Sequence, residues 1–74
     1  MNYTIFTQAD CLPCVRAKKA LAQSGKDYVA FSIEEYPAIR KLMLAVGLYT
    51  LPQVFKGPVH IGGADDLLKH LKQS

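Results

Sequence analysis

Cys11-Leu12-Pro13-Cys14 places two thiols three residues apart, and they are the only cysteines in the chain. At that spacing about one helical turn separates the sulfurs, so both can face the same side and close a small ring. So short a loop gains little closure entropy and makes a poor structural staple. It can instead open and close. A polar stretch, Thr7 to Asp10, precedes the pair, and helix-forming residues follow it. The cysteines therefore fall where a loop runs into a helix. Unpaired N–H groups and the positive end of the helix dipole stabilise an anion there, which favours a thiolate. Cys11, nearer the exposed tip, is the expected nucleophile toward a disulfide, and Cys14, inside the first turn, is the expected resolving thiol. Pro13 is tolerated in that turn, where it stiffens the ring and withdraws one N–H donor. Zinc is the competing chemistry, but one such pair leaves a tetrahedral site two ligands short. His60 and His70, the only histidines, do not stand at finger-like spacing. No metal site is expected within one chain, and a metal shared between subunits stays open.

The elements that must hold this pair can be read on either side of it. Residues 2–6 are rich in β-formers and predict a first strand. Residues 12–24 predict a helix stopped by Ser24-Gly25, and residues 28–33 a second strand. A helix crossing between two strands implies a parallel pair with a right-handed connection. Pro37 suits a second helix start, and Ile39, Leu42, Met43 and Val46 follow the spacing of one buried stripe that Gly47 can end. Leu51 to Phe55 predicts a third strand, Lys56-Gly57-Pro58 a tight turn, and Val59 to Ile61 a returning strand. Ala64, Leu67, Leu68 and Leu71 then repeat the amphipathic spacing in a last helix, with Asp65 and Asp66 well placed in its first turn. The order is β-α-β-α-β-β-α, an α/β fold with three helices on a mixed four-stranded sheet. Tyr3, Ile5, Phe31, Ile33, Met43, Val54 and Leu68 are the expected core.

Seventy-four residues make one domain, 1–74, with no room for a second core. Half the residues are hydrophobic and 20% are charged, which argues against disorder. The net charge is +3, but the basic residues are scattered, with no run longer than Lys18-Lys19. Nucleic-acid binders cluster such residues on one face, so that class is not expected. Leu42 to Leu48, the longest apolar run, is too short to span a bilayer. The first residues carry no basic segment followed by an apolar stretch, so a secretory signal is not expected. A cytoplasmic location follows as an expectation, and structural disulfides are uncommon there.

Three motifs stand together: Cys11-Leu12-Pro13-Cys14 after a first strand, Thr50-Leu51-Pro52-Gln53-Val54-Phe55, and His60-Ile61-Gly62-Gly63-Ala64-Asp65-Asp66 opening the last helix. Their joint order resembles the glutaredoxins over nearly the whole chain. The resemblance implies a thioredoxin-like fold and a cis Leu51–Pro52 bond that leaves the Leu51 backbone beside the cysteines. It further implies that this segment pairs with the cysteine of glutathione, the reducing cosubstrate, with no cofactor resident. Gly63, Ala64 and Asp65 match the residues that bind the γ-glutamyl end, helix-start N–H groups taking its carboxylate and Asp65 its ammonium. Gly62-Gly63 and Asp65 read equally as a tight turn with helix capping. The chain also departs from the pattern. Gln8 stands where glutaredoxins commonly carry Lys, and Leu12 where they usually carry Tyr. Arg40 or Lys41 is the candidate replacement for the lost cation toward glutathione's glycyl carboxylate, and Asp10 would oppose the thiolate.

The implied activity is reduction of protein disulfides and glutathione mixed disulfides by a monomer. Lys19-Ala20-Leu21 through Gly25 and Tyr28 also resemble the NrdH-type redoxins, which take electrons from thioredoxin reductase and give them to ribonucleotide reductase. Where their C-terminal signature would stand, this chain has Ile61-Gly62-Gly63-Ala64-Asp65. A third class within the resemblance bridges two subunits with an iron–sulfur cluster on the first cysteine and glutathione. Pro13 and the competing Cys14 count against it here.

Overall fold

The computed structural model describes residues 2–73. The elements run β1 (Tyr3–Thr7), α1 (Leu12–Gln23), β2 (Tyr28–Ser32), α2 (Pro37–Ala45), β3 (Gln53–Lys56), β4 (Val59–Gly62) and α3 (Ala64–Gln73). The sheet order is β2-β1-β3-β4. β1 pairs in parallel with β2, Ile5 opposite Ala30, and antiparallel with β3, Ile5 opposite Val54. The α1 crossover thus gives the parallel pair expected from the sequence, and the tight turn gives an antiparallel β3–β4 hairpin.

β1 alternates strictly. Tyr3, Ile5 and Thr7 are buried, and Thr4 and Phe6 are half-buried on the other face. Tyr3 and Ile5 join Ala17 and Leu21 of α1, Val54 of β3, and Ala64 and Leu67 of α3 in one core. α1 and α3 therefore lie on the same side of the sheet, and packing between them sets where the two helix starts stand. The opposite face carries an aromatic row, with Phe6 5.5 Å from Phe55 and 6.5 Å from Phe31, and Tyr36 edge-on to Phe31 at 5.4 Å.

α1 ends as Ser24-Gly25 suggested. The N–H groups of Gly25 and Lys26 donate back to the carbonyls of Ala22 and Leu21, and Gly47 and Leu48 close α2 on Leu44 and Met43 in the same way.

Three expectations need correction. β3 begins at Gln53 rather than Leu51, because Pro52 has no N–H to give a ladder. The stripe on α2 is only partly buried: Met43 is enclosed and Ile39 half-buried, while Leu42 and Val46 are 60% and 62% exposed. The helix ends at Ala45, so Val46 has already left its repeat. Among the expected core residues, Phe31, Ile33 and Leu68 are half-buried. Phe31 lies on the edge strand β2, Ile33 falls past its end, and Leu68 lines a shallow depression between α1 and α3 with Leu71 and Ala20. No helix of the described residues is long and apolar enough to cross a membrane.

Candidate functional site

The chain leaves β1 at Thr7 and crosses the loop of Gln8, Ala9 and Asp10 into α1. Two features shape that loop. Both oxygens of Glu34, beyond the end of β2, accept from the Ala9 N–H at 3.1 and 3.2 Å. The Ser32 hydroxyl donates to Glu34 at 2.6 Å and accepts from the Glu34 N–H at 3.1 Å. The Ser32 hydrogen bond, then that from Ala9, holds the Glu34 carboxyl below its usual range. The second feature is Asp10, whose φ of 53° is the left-handed backbone that Asp and Asn tolerate better than most residues. Nothing in the sequence signalled that turn. It brings Cys11 to the helix start.

Cys11 is the N-cap of α1, with extended φ and ψ, and the N–H of Cys14 donates to its sulfur at 3.2 Å. Leu12 and Pro13 occupy the first two helical positions. Since Pro13 brings no N–H, Cys14 supplies the donor that reaches the sulfur. The two cysteines form a disulfide, with their Cα atoms 5.2 Å apart, inside the usual range for such a bond. Cys14 is enclosed, at 1% exposure, while Cys11 is partly open. Only one of the two sulfurs is presented to an incoming reagent.

A groove of about 580 Å³ opens beside the pair, lined by Gln8, Ala9, Asp10, Cys11, Leu12, Cys14, Val15 and Lys18. It gathers Gln8 and Leu12 with both thiols, and Leu12 is 79% exposed at its rim. Among the described residues its one cation is Lys18, which the sequence shows only as half of a basic pair. The signal was its spacing: Lys18 stands four residues after Cys14, one turn along the same face of α1. Arg40 and Lys41 belong to α2 and do not line this groove.

The other two motifs meet nearby. The Leu51–Pro52 bond is cis, as the resemblance implied. Gly63 lies against it, so close that a Cβ there would sit 3.7 Å from the Pro52 carbonyl oxygen. Gly63 also caps α3: its carbonyl accepts from the Leu67 N–H at 3.0 Å, and its N–H donates to Asp66 Oδ2 at 3.2 Å. The N–H groups of Ala64 and Asp65 have no partner among the described residues. Asp65 is not idle, because Arg16 Nη2 of α1 meets its Oδ1 at 3.2 Å in an exposed ion pair. Sequence reading missed Arg16. Among the described residues the pair leaves Asp65 Oδ2 without a partner, and it ties the start of α3 to α1.

The glutaredoxin family model matches residues 3–61. A glutaredoxin of Pseudomonas aeruginosa is 39% identical over 64 residues, covering 85% of this chain and 76% of that protein. A solved buckwheat glutaredoxin–glutathione complex superposes with a TM-score of 0.82 at 31% identity, covering 96% of this chain and 68% of that one. The NrdH-redoxin of Escherichia coli, whose structure is described as the basis of a thioredoxin-like activity profile, superposes equally well. Its TM-score is 0.82 at 28% identity, over 93% of each chain. With its motifs assembled on this fold, the chain belongs to the glutaredoxin family of thiol–disulfide oxidoreductases.

Proposed function

We propose that this protein reduces disulfides by a dithiol cycle recharged by glutathione, with Cys11 as nucleophile and Cys14 as resolving thiol. The observation that carries the reading is the asymmetry of the pair: a partly open Cys11 capped by the Cys14 N–H, bonded to an enclosed Cys14. In the reduced protein the Cys11 thiolate attacks one sulfur of a substrate disulfide. A mixed disulfide forms on Cys11, and the other substrate sulfur leaves as a thiolate that takes a proton. Cys14, once deprotonated, attacks the Cys11 sulfur and releases the second substrate thiol, leaving the protein disulfide. One glutathione thiolate opens that disulfide at Cys11 and a second removes the first as glutathione disulfide, so two electrons pass and the dithiol returns. The free N–H groups of Ala64 and Asp65 and the open oxygen of Asp65 suit the carboxylate and ammonium of a γ-glutamyl group. The protein works as a monomer in the cytoplasm on protein disulfides and glutathione mixed disulfides.

A second reading has its own support. Gln8 is neutral, Asp10 places a negative charge beside Cys11, and exposed Leu12 gives the groove an apolar rim. Those features suit a redoxin charged by thioredoxin reductase and serving ribonucleotide reductase. A coupled NADPH assay separates the two: the proposal requires turnover with glutathione and glutathione reductase exceeding that with thioredoxin reductase. The reverse order selects the second reading.

A further inference from the structure

Gln53 is a polar side chain at the end of β3, enclosed to 6% exposure, in the residue that follows Pro52. Such a group needs partners, and it has three. Its amide nitrogen donates to the Thr50 carbonyl at 3.0 Å and lies 3.1 Å from the Thr50 hydroxyl. Its amide oxygen faces His60 Nε2 at 2.7 Å. A carbonyl can only accept, so the Thr50 contact fixes which end of the amide is nitrogen. The oxygen then accepts from His60, and Nε2 must carry the proton. His60 is itself steadied from across the hairpin, opposite Phe55 in register and with ring centroids 4.9 Å apart. The chain His60–Gln53–Thr50 thus runs from an exposed residue of β4 to the loop just before the cis bond. In that loop the Leu51 amide has no hydrogen bond among the described residues.

We infer that His60 and Gln53 are positioning residues that, by holding Thr50, keep the Leu51 backbone open as an edge for the peptide portion of a disulfide substrate. This rests on the proposed function above and on the family resemblance, which implies that this segment pairs with the cysteine of glutathione. Neither side chain lines the groove at Cys11, so their effect falls on peptide recognition and not on the sulfur chemistry.

The test compares the rate constants with which the reduced protein is oxidised by glutathione disulfide and by bis(2-hydroxyethyl) disulfide, which has no amide to pair. The readout is their ratio. Wild type should prefer the peptide disulfide. His60→Ala, an exposed change that spares the core, should lower the ratio roughly three- to tenfold, the range for one hydrogen bond, with the alkyl disulfide rate unchanged. His60→Gln keeps an N–H donor and should restore most of the preference, while Gln53→Leu should lose at least as much as His60→Ala. A ratio unchanged in His60→Ala, or both rates falling together, would overturn the positioning role. A wild-type protein with no preference would instead remove the peptide-pairing reading of Thr50–Leu51, and the relay's role with it.

Discussion

Adjacent glycines in the Gly62-Gly63 turn should respond very differently to one added methyl group. Gly62 has φ 128°, a region nearly closed to other residues, and a Cβ there would overlap the Asp66 side chain, with Cγ at 2.8 Å and Cβ at 2.9 Å. Because Asp66 Cβ is itself too close and is fixed by its backbone, turning the carboxylate away does not suffice: the start of α3 must shift, and the Gly63 N–H loses its cap. Backbone strain of about 1–3 kcal/mol and a lost capping bond of about 0.5–1.5 kcal/mol oppose a gain of about 0.4–1 kcal/mol from a stiffer unfolded chain. The net for Gly62→Ala is about 2 kcal/mol of destabilisation, which in a domain this small lowers the melting temperature by about 8–16 °C. Gly63→Ala meets only the Pro52 carbonyl oxygen, at an ordinary 3.7 Å. Its melting temperature should stay within a few degrees of wild type, and its cost should appear as a raised Michaelis constant for a glutathione mixed disulfide. Thermal unfolding by circular dichroism, followed by steady-state kinetics, checks both. Equal melting temperatures for the two variants would refute the reasoning, because only Gly62 has the Asp66 side chain packed against it.

Gln8→Lys adds a second cation to the groove that holds Lys18, and exposed pairs are worth about 0.2–1 kcal/mol. The Michaelis constant for a glutathione mixed disulfide should fall up to about fivefold at low ionic strength, with the gain shrinking in salt. A salt-independent effect would contradict the electrostatic cause. Glu34 is held below its ordinary carboxylate range by Ser32 and Ala9, so its contribution to stability is present above the unfolded-state value and fades as pH falls through the lower folded one. Glu34→Gln should therefore lose less stability than wild type on acidification through that window. Parallel denaturant midpoints across pH for the two proteins would count against the Glu34–Ala9 tie.

The dithiol and the element order were legible because they depend on local spacing: two cysteines one turn apart, and apolar periods of two and 3.6 residues. Ser24-Gly25 and Gly47 marked their helix ends for the same reason. What escaped depended on geometry between elements. Asp10 adopts a left-handed turn that no glycine announced, and Arg16 reaches Asp65 across the gap between α1 and α3. In the sequence Gln53 is one position of a motif, and its partners Thr50 and His60 come together only through the hairpin and the cis-proline loop. The α2 stripe misled in the other direction. Its spacing is correct, yet a helix of nine residues encloses Met43 alone.

The central claim is that Cys11 is the sulfur that substrate meets, and trapping the mixed disulfide tests it most directly. Reduced Cys14→Ser protein, exposed to glutathione disulfide and digested without reductant, should yield one glutathione adduct by mass spectrometry, on the peptide carrying Cys11. The matching Cys11→Ser protein should remain unmodified over the same interval, because the Cys14 sulfur is enclosed. An adduct forming faster on Cys14 of the Cys11→Ser protein than on Cys11 of the Cys14→Ser protein would contradict the account.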